Sequence, residues 1–186
     1  MGKLLFLIAL VSILCGCGDD PIPKPKGYFH ITLPEKKYVH FQSPCAFEFD
    51  IAAVAKISLK DSVHCYYNIE YPQWKGTLHL TYLPVKNDLK ELIDDEHRRK
   101  EKHIQMASSI DDSVYVFPDR HVSATVFHIN GSKTATPIQF FITDSTHHFF
   151  RGALYFYHSP NNDSIAPVIS YIKDDVKKMI ETFKWN

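Results

Sequence analysis

The C-terminal stretch from Asp163 to Asn186 constrains this chain most. Ile165, Val168, Ile169, Ile172, Val176, Met179, Ile180 and Phe183 recur three and four residues apart, which places them on one face of an α-helix. Asp163 or Ser164 is positioned to cap that helix, and Pro167 falls in its first turn, where proline is tolerated. An apolar stripe this continuous has to be buried against another layer. The preceding residues supply it. "SVYVF", "HVSATVFHI", "TPIQFFIT" and "HHFFRGALYFYH" have strand patterning, with "NGS" at Asn130–Ser132 turning between the second and third. The last segment is almost wholly apolar or aromatic and is expected to be a central strand buried on both faces. The 13 Phe and 10 Tyr of the chain suit such strands.

The first half follows the same grammar. "CAFEFDI" alternates and predicts a strand over Ala46–Ile51. "HCYYNIEY" and "GTLHLTYL" predict a hairpin through "PQWKG", with Leu78, Leu80 and Tyr82 on one face. The period then changes. In "NDLKELIDDEHRRKEKHIQMASSI", Leu89, Leu92, Ile93, Ile104 and Ala107 recur at helical spacing, with Asn87 or Asp88 as cap. The charged middle of this helix reads as a solvated face carrying pairs such as Asp95–Arg99, or else as an exposed docking surface. Strands, helix, strands, helix is the order of an α+β fold: a single domain with a mainly antiparallel β-sheet packed by two α-helices, one mid-chain and one C-terminal.

The N-terminus lies outside that domain. Lys3 precedes a stretch from Leu4 to Leu14 that is apolar but for Ser12, too short to span a bilayer core of roughly 30 Å yet suited to a signal peptide. It ends in "LCGC", with Gly16 directly before Cys17, an arrangement that resembles a bacterial lipobox. Residues 1–16 are therefore expected to be a signal peptide and Cys17 the lipidated first residue of the mature chain. A redox or zinc role for Cys15 and Cys17 is disfavoured, because no partner pair at finger-like spacing follows. Residues 17–27 then form the anchor and a tether in which Pro21, Pro23 and Pro25 favour extended backbone, and residues 28–186 form the domain. Asp19 and Asp20 resemble, weakly, the surface-export signals of some Bacteroidota lipoproteins. The domain holds Cys45 and Cys65, which in an oxidising compartment form one disulfide or else remain two buried thiols.

Chemistry is sparse. Lysine plus arginine equal aspartate plus glutamate at 21 each, so charge gives no case for nucleic acid. None of the 11 histidines stands in a metal-binding motif; His147–His148 point to opposite faces of a strand, and His79, His128 and His158 can meet only through the fold. No metal, no cofactor and no catalytic residue is assigned, and the chain is expected not to be an enzyme. The pairs Asp94–Asp95, Asp111–Asp112 and Asp174–Asp175 are explained by solvation. "DSV", "DSV", "DST" and "DSI" place Ser62, Ser113, Ser145 and Ser164 in copies of a pattern resembling the O-glycosylation acceptor of exported Bacteroidota proteins. Turns and helix caps favour the same dipeptide.

Taken together, "PKPKGYFHITLPEKKY", "CAFEFDI", "CYYNIEYPQWKGTLHLTY", "QFFITDSTHHFFRGALYFY" and "PNNDSIAPVISYIKDDVKKMIETFKW" resemble the gliding-motility lipoprotein GldD family of Bacteroidota. The resemblance implies a protein anchored to a membrane by lipid in the cell envelope and needed for gliding and type IX secretion, with proteins of that apparatus as partners. The domain is expected to face the periplasm in preference to the cell surface, the alternative that Asp19 and Asp20 leave open. It implies no catalytic residues. Two other classes fit the residues: an envelope ligand-binding module, and an enzyme acting on glycan or peptide, which a deep polar pocket with converging carboxylates or histidines would favour.

Overall fold

The computed structural model describes residues 31–157 and 161–186. Cys17, the signal segment and the tether lie outside the described residues. The described chain runs β1 (Tyr38–Gln42), β2 (Phe47–Ala52), β3 (Lys56–Asp61), β4 (Tyr66–Tyr71), β5 (Gly76–Pro84), α1 (Leu89–Glu101), β6 (Ser109–Phe117), β7 (Val122–Asn130), β8 (Ile138–Thr143), β9 (His148–Phe156), α2 (Ala166–Thr182) and β10 (Lys184–Trp185). The fold is α+β. Seven strands form one sheet in the order β3-β4-β5-β9-β8-β7-β6, and β1-β2-β10 form a second. All pairings are antiparallel.

The topology follows from one crossover. β3, β4 and β5 make a meander, α1 then carries the chain across one face to the far edge, and β6 to β9 meander back until β9 pairs with β5. That closing pair runs from Gly76↔Phe156 to Pro84↔His148. Strand alternation divides the side chains between two cores. Leu78, Leu80, Phe140, Ile142, Phe150 and Leu154 meet Phe47 and Phe49 of β2 and the stripe of α2. Phe127, Ile129, Phe141 and Phe149 turn the other way and are covered by Leu89, Leu92 and Ile93 of α1.

Aromatic rings tie the first core together. Phe47 and Phe150 lie 4.7 Å apart between centroids, Phe150 and Phe183 5.2 Å. Gly152 sits among them because nothing larger fits: a Cβ there would lie 2.3 Å from Cζ of Phe140. Gly152→Ala is therefore expected to cost about 2–3 kcal/mol of overpacking, read as a lower denaturant midpoint with unchanged slope.

Several expectations need correction. The strand buried along its whole length is β8, not β9. β8 lies between both cores, whereas Arg151, Ala153 and Tyr155 of β9 extend past the cover of α1. α1 stops at Glu101, and Ile104 lies outside it, 59% exposed. Neither helix has the expected side-chain cap. Asp88 accepts instead from the Lys86 backbone N–H, and Ile165 takes the N-cap position of α2. Pro167 in its first turn has no N–H to satisfy. The short strands β1, β3 and β10 carry too little pattern to be read from sequence.

The segment entering the domain is clamped to α2. Asp175, 4% exposed, accepts hydrogen bonds from Lys36 Nζ, from the Tyr38 hydroxyl at 3.1 Å and from the Tyr71 hydroxyl at 3.2 Å. Burial raises its carboxyl above the ordinary range despite these donors. Of the three acidic pairs, solvation fails to explain this one.

The β8–β9 turn is organised by Asp144. Its carboxylate accepts the backbone N–H groups of Thr146, His147 and His148 at 3.0, 2.8 and 2.8 Å. Burial opposes the charge, but these donors prevail and hold the pKa at about 2, below the ordinary 3.8. The folded value is depressed, so its stabilisation is complete above the unfolded value and lost as pH falls toward 2. Asp144→Asn should lose about 1–2 kcal/mol at neutral pH. That difference from wild type should shrink to about a few tenths of a kcal/mol in acid unfolding curves near pH 2 and vanish below it.

Candidate functional site

The structure brings chemistry together where the cover of α1 runs out. A cleft of about 380 Å³ opens between α1 and the outward residues of β5, β8 and β9. From α1 comes Glu96, 3% exposed on a helix whose charged residues are otherwise at the surface or half-buried. Arg151 of β9 donates from Nη1 to Glu96 Oε1 at 2.8 Å, and Arg99 Nε lies 2.8 Å from Asp95 Oδ2 and 3.4 Å from Glu96 Oε1. Burial raises the Glu96 carboxyl above the usual range, although Arg151 and Arg99 draw it down. The network fastens α1 to the sheet and leaves the Nη groups of Arg99 without a carboxylate partner among the described residues.

The floor is polar. Register aligns His79, Ala153 and Gln139 across β5, β9 and β8. His103, just past the end of α1, stands with Nε2 3.0 Å from Gln139 Nε2. His79 Nδ1 is 2.9 Å from Asn68 Oδ1. Burial lowers the pKa of both histidines, which keeps them neutral at pH 7. Gln139 is 4% exposed, and its Oε1 has no hydrogen-bond partner among the described residues. A larger depression of about 520 Å³ beside the β7–β8 turn differs in kind. Its buried amide, Asn162 Nδ2, is fully engaged by Gly131 O, Thr134 O and Thr134 Oγ1 at 2.8–3.0 Å.

A second surface feature is the free edge of the large sheet. β6 has nine residues and, among the described residues, pairs only with β7. Its outward side chains Val114 and Val116 are 67% and 61% exposed. The opposite edge, β3, carries Lys56 and Lys60 and a register shift between Leu59 and Asp61, devices that discourage strand addition. β6 has no lysine, no proline and a continuous register from Ser109 to Phe117; its two charges, Asp111 and Asp112, lie in its first half, which leaves Val114–Phe117 without such a device.

The residues singled out from sequence fall in different places. Cys45 and Cys65 are bonded to each other, 6.3 Å between Cα atoms. They precede β2 and β4, so the bond joins the small sheet to the large one; closing a loop of this length is worth about 3 kcal/mol. Ser62 and Ser145 stand exposed in turns, while Ser113 and Ser164 are half-buried. Asp61 and Asp144 accept backbone N–H groups two and three residues on, so local turn geometry accounts for two of the four Asp-Ser copies. Of the histidines, the fold gathers His79 with His103, not with His128. His158 lies outside the described residues. His148 stacks on Trp185 at 5.0 Å and lies 2.8 Å from the Tyr82 hydroxyl. Among the described residues no three His, Cys, Asp or Glu side chains are grouped to hold a metal ion, and no helix is long and apolar enough to cross a membrane.

Sequence reasoning missed Glu96, Arg151 and Gln139. A signal was present: Glu96 lies four after Leu92 and three after Ile93, on the apolar side of its helix. The family model described as gliding motility lipoprotein GldD matches residues 18–185. Comparison with curated proteins finds no match.

Proposed function

The chain belongs to the gliding motility lipoprotein GldD family, and from that premise we propose that it serves the gliding apparatus and the associated type IX secretion machinery through protein–protein contacts, without catalysis. Family membership makes it a lipid-anchored protein of the cell envelope. The domain faces the periplasm, held near the membrane by Cys17 and the proline-rich tether. The observation that carries the contact role is the contrast between the sheet edges: β3 is guarded, and the Val114–Phe117 half of β6 is not. An unguarded edge with exposed valines offers backbone N–H and C=O groups to an extended segment of another protein, and the valines add apolar contact. A non-catalytic role is further supported by the cleft carboxylates, which are spent on arginines. The exposed Ser62 and Ser145 are the candidate O-glycosylation acceptors best presented to a modifying enzyme.

Deleting the gene in its native host is expected to stop colony spreading and reduce type IX secretion, with both restored by the wild-type copy. Normal spreading and normal secretion in the deletion strain would refute the proposal.

A further inference from the structure

We propose that the cleft between α1 and strands β5, β8 and β9 binds a small acidic sugar, its carboxylate held by Arg99, Lys102 and Arg151 and a hydroxyl donated to the polar floor. Its size of about 380 Å³ lies within the range of small-ligand sites and suits one or two sugar rings. Charge selects the ligand class. Three cations, Arg99, Lys102 and Arg151, meet two carboxylates, Glu96 in the lining and Asp95 behind it at 2.8 Å from Arg99 and 3.6 Å from Arg151. One positive charge is left over, and both lining histidines are neutral. Arg151 uses Nη1 on Glu96 and Arg99 uses Nε on Asp95, so each guanidinium keeps donors for an incoming anion.

The second, independent observation is Gln139. A buried amide oxygen without a donor is rare and marks a missing partner. A carboxylate or phosphate has no hydrogen to give at neutral pH, so an anion alone leaves Oε1 unsatisfied. A hydroxyl on the same molecule satisfies it. Thr81 and His79 extend the polar floor beside it, and the Tyr155 ring, 5.7 Å from that of His79, offers a wall for the C–H face of a sugar. The inference does not rest on the contact role of β6 and stands or falls separately.

The test is calorimetric titration of the intact domain with D-glucuronic acid, D-galacturonic acid and N-acetylmuramic acid, alongside glucose and inorganic phosphate. At least one acidic sugar should bind, with glucose and phosphate each at least tenfold weaker. Lys102→Gln, an exposed change that leaves the fold intact, should weaken that sugar about fivefold or more. Gln139→Leu removes the unpartnered oxygen together with the amide nitrogen that meets His103, two opposing effects on stability, so it should lower affinity with little change in melting temperature. Failure of all three acidic sugars to bind overturns the proposal. Phosphate binding as tightly as the sugar overturns its sugar part, and unchanged affinity in both variants places any binding elsewhere.

Discussion

Arg151→Met is expected to destabilise the domain by about 3 kcal/mol, a fall of roughly 6–12 °C in melting temperature. The reason is what the substitution leaves behind. Glu96 is 3% exposed and takes its closest donor from Arg151 at 2.8 Å, with Arg99 more distant at 3.4 Å. Without Arg151 the carboxylate is buried with one poor partner, the situation in which a broken ion pair costs most. The loss should depend on pH. Glu96 already has its carboxyl raised by burial, and removing the arginine raises it further. A raised folded value favours the folded state in acid and penalises it as pH rises. The defect should thus be smaller at pH 5 than at pH 8. Pairing the change with Glu96→Leu, which removes both charges, should recover much of the stability. Hydrogen exchange gives the local readout, because α1 is the element released and its amides should lose protection before those of β8. Unchanged stability in the single variant would mean that apolar contact alone docks the helix.

Cys17→Ser is expected to move the protein almost entirely from the membrane to the soluble fraction of cells. Several acyl chains hold a lipoprotein durably where one would be marginal, and the described residues contain no membrane-crossing helix to replace them. No described residue lies nearer in sequence to Cys17 than residue 31, so the released protein should keep the melting temperature of the lipid-free domain. Fractionation and immunoblotting decide the matter. Membrane retention of the Cys17→Ser variant would show a different anchor, and loss of the protein altogether would be distinguished by expressing residues 28–186 alone.

The fold was legible where side-chain period was strong. The α2 stripe, the "YPQWKG" hairpin and the meander from Val122 to Phe156 all follow from alternation that the sheet then satisfies. What sequence could not show is which strand is covered on both faces: β9 is central in the sheet, as expected, but β8 is the one buried throughout. β8 and β9 are both apolar runs, and only the crossover of α1 decides that β8 is covered on both faces while half of β9 opens into a cleft. Edge strands were hard for the same reason: with one neighbour they bury less and need less pattern, as Lys56–Asp61 illustrates.

The site was partly written in the sequence as charges in the wrong place. Glu96 falls on the apolar side of α1, Asp175 lies three after Ile172 on that of α2, and Arg151 interrupts a run of aromatic residues. Each is a buried ion whose partner comes from another element: Arg151 for Glu96, Lys36 for Asp175. Sequence can flag such a residue, but only the fold names its partner, because the partners are 55 and 139 residues away. Gln139 gave no signal of this kind. An amide in an apolar strand looks like any other polar interruption until its oxygen is found without a donor.

The most direct measurement places Val114→Lys and Val116→Lys together on the chromosome of the native host and scores colony spreading and secretion beside protein level. Both side chains are more than half exposed, so the fold and the membrane anchor should be untouched. The two lysines give β6 the protection that β3 already has. Spreading and type IX secretion should fall toward the deletion phenotype while abundance, membrane fractionation and melting temperature stay at wild-type values. Normal spreading and secretion from that strain would contradict the assignment of the β6 edge as the contact through which this lipoprotein works.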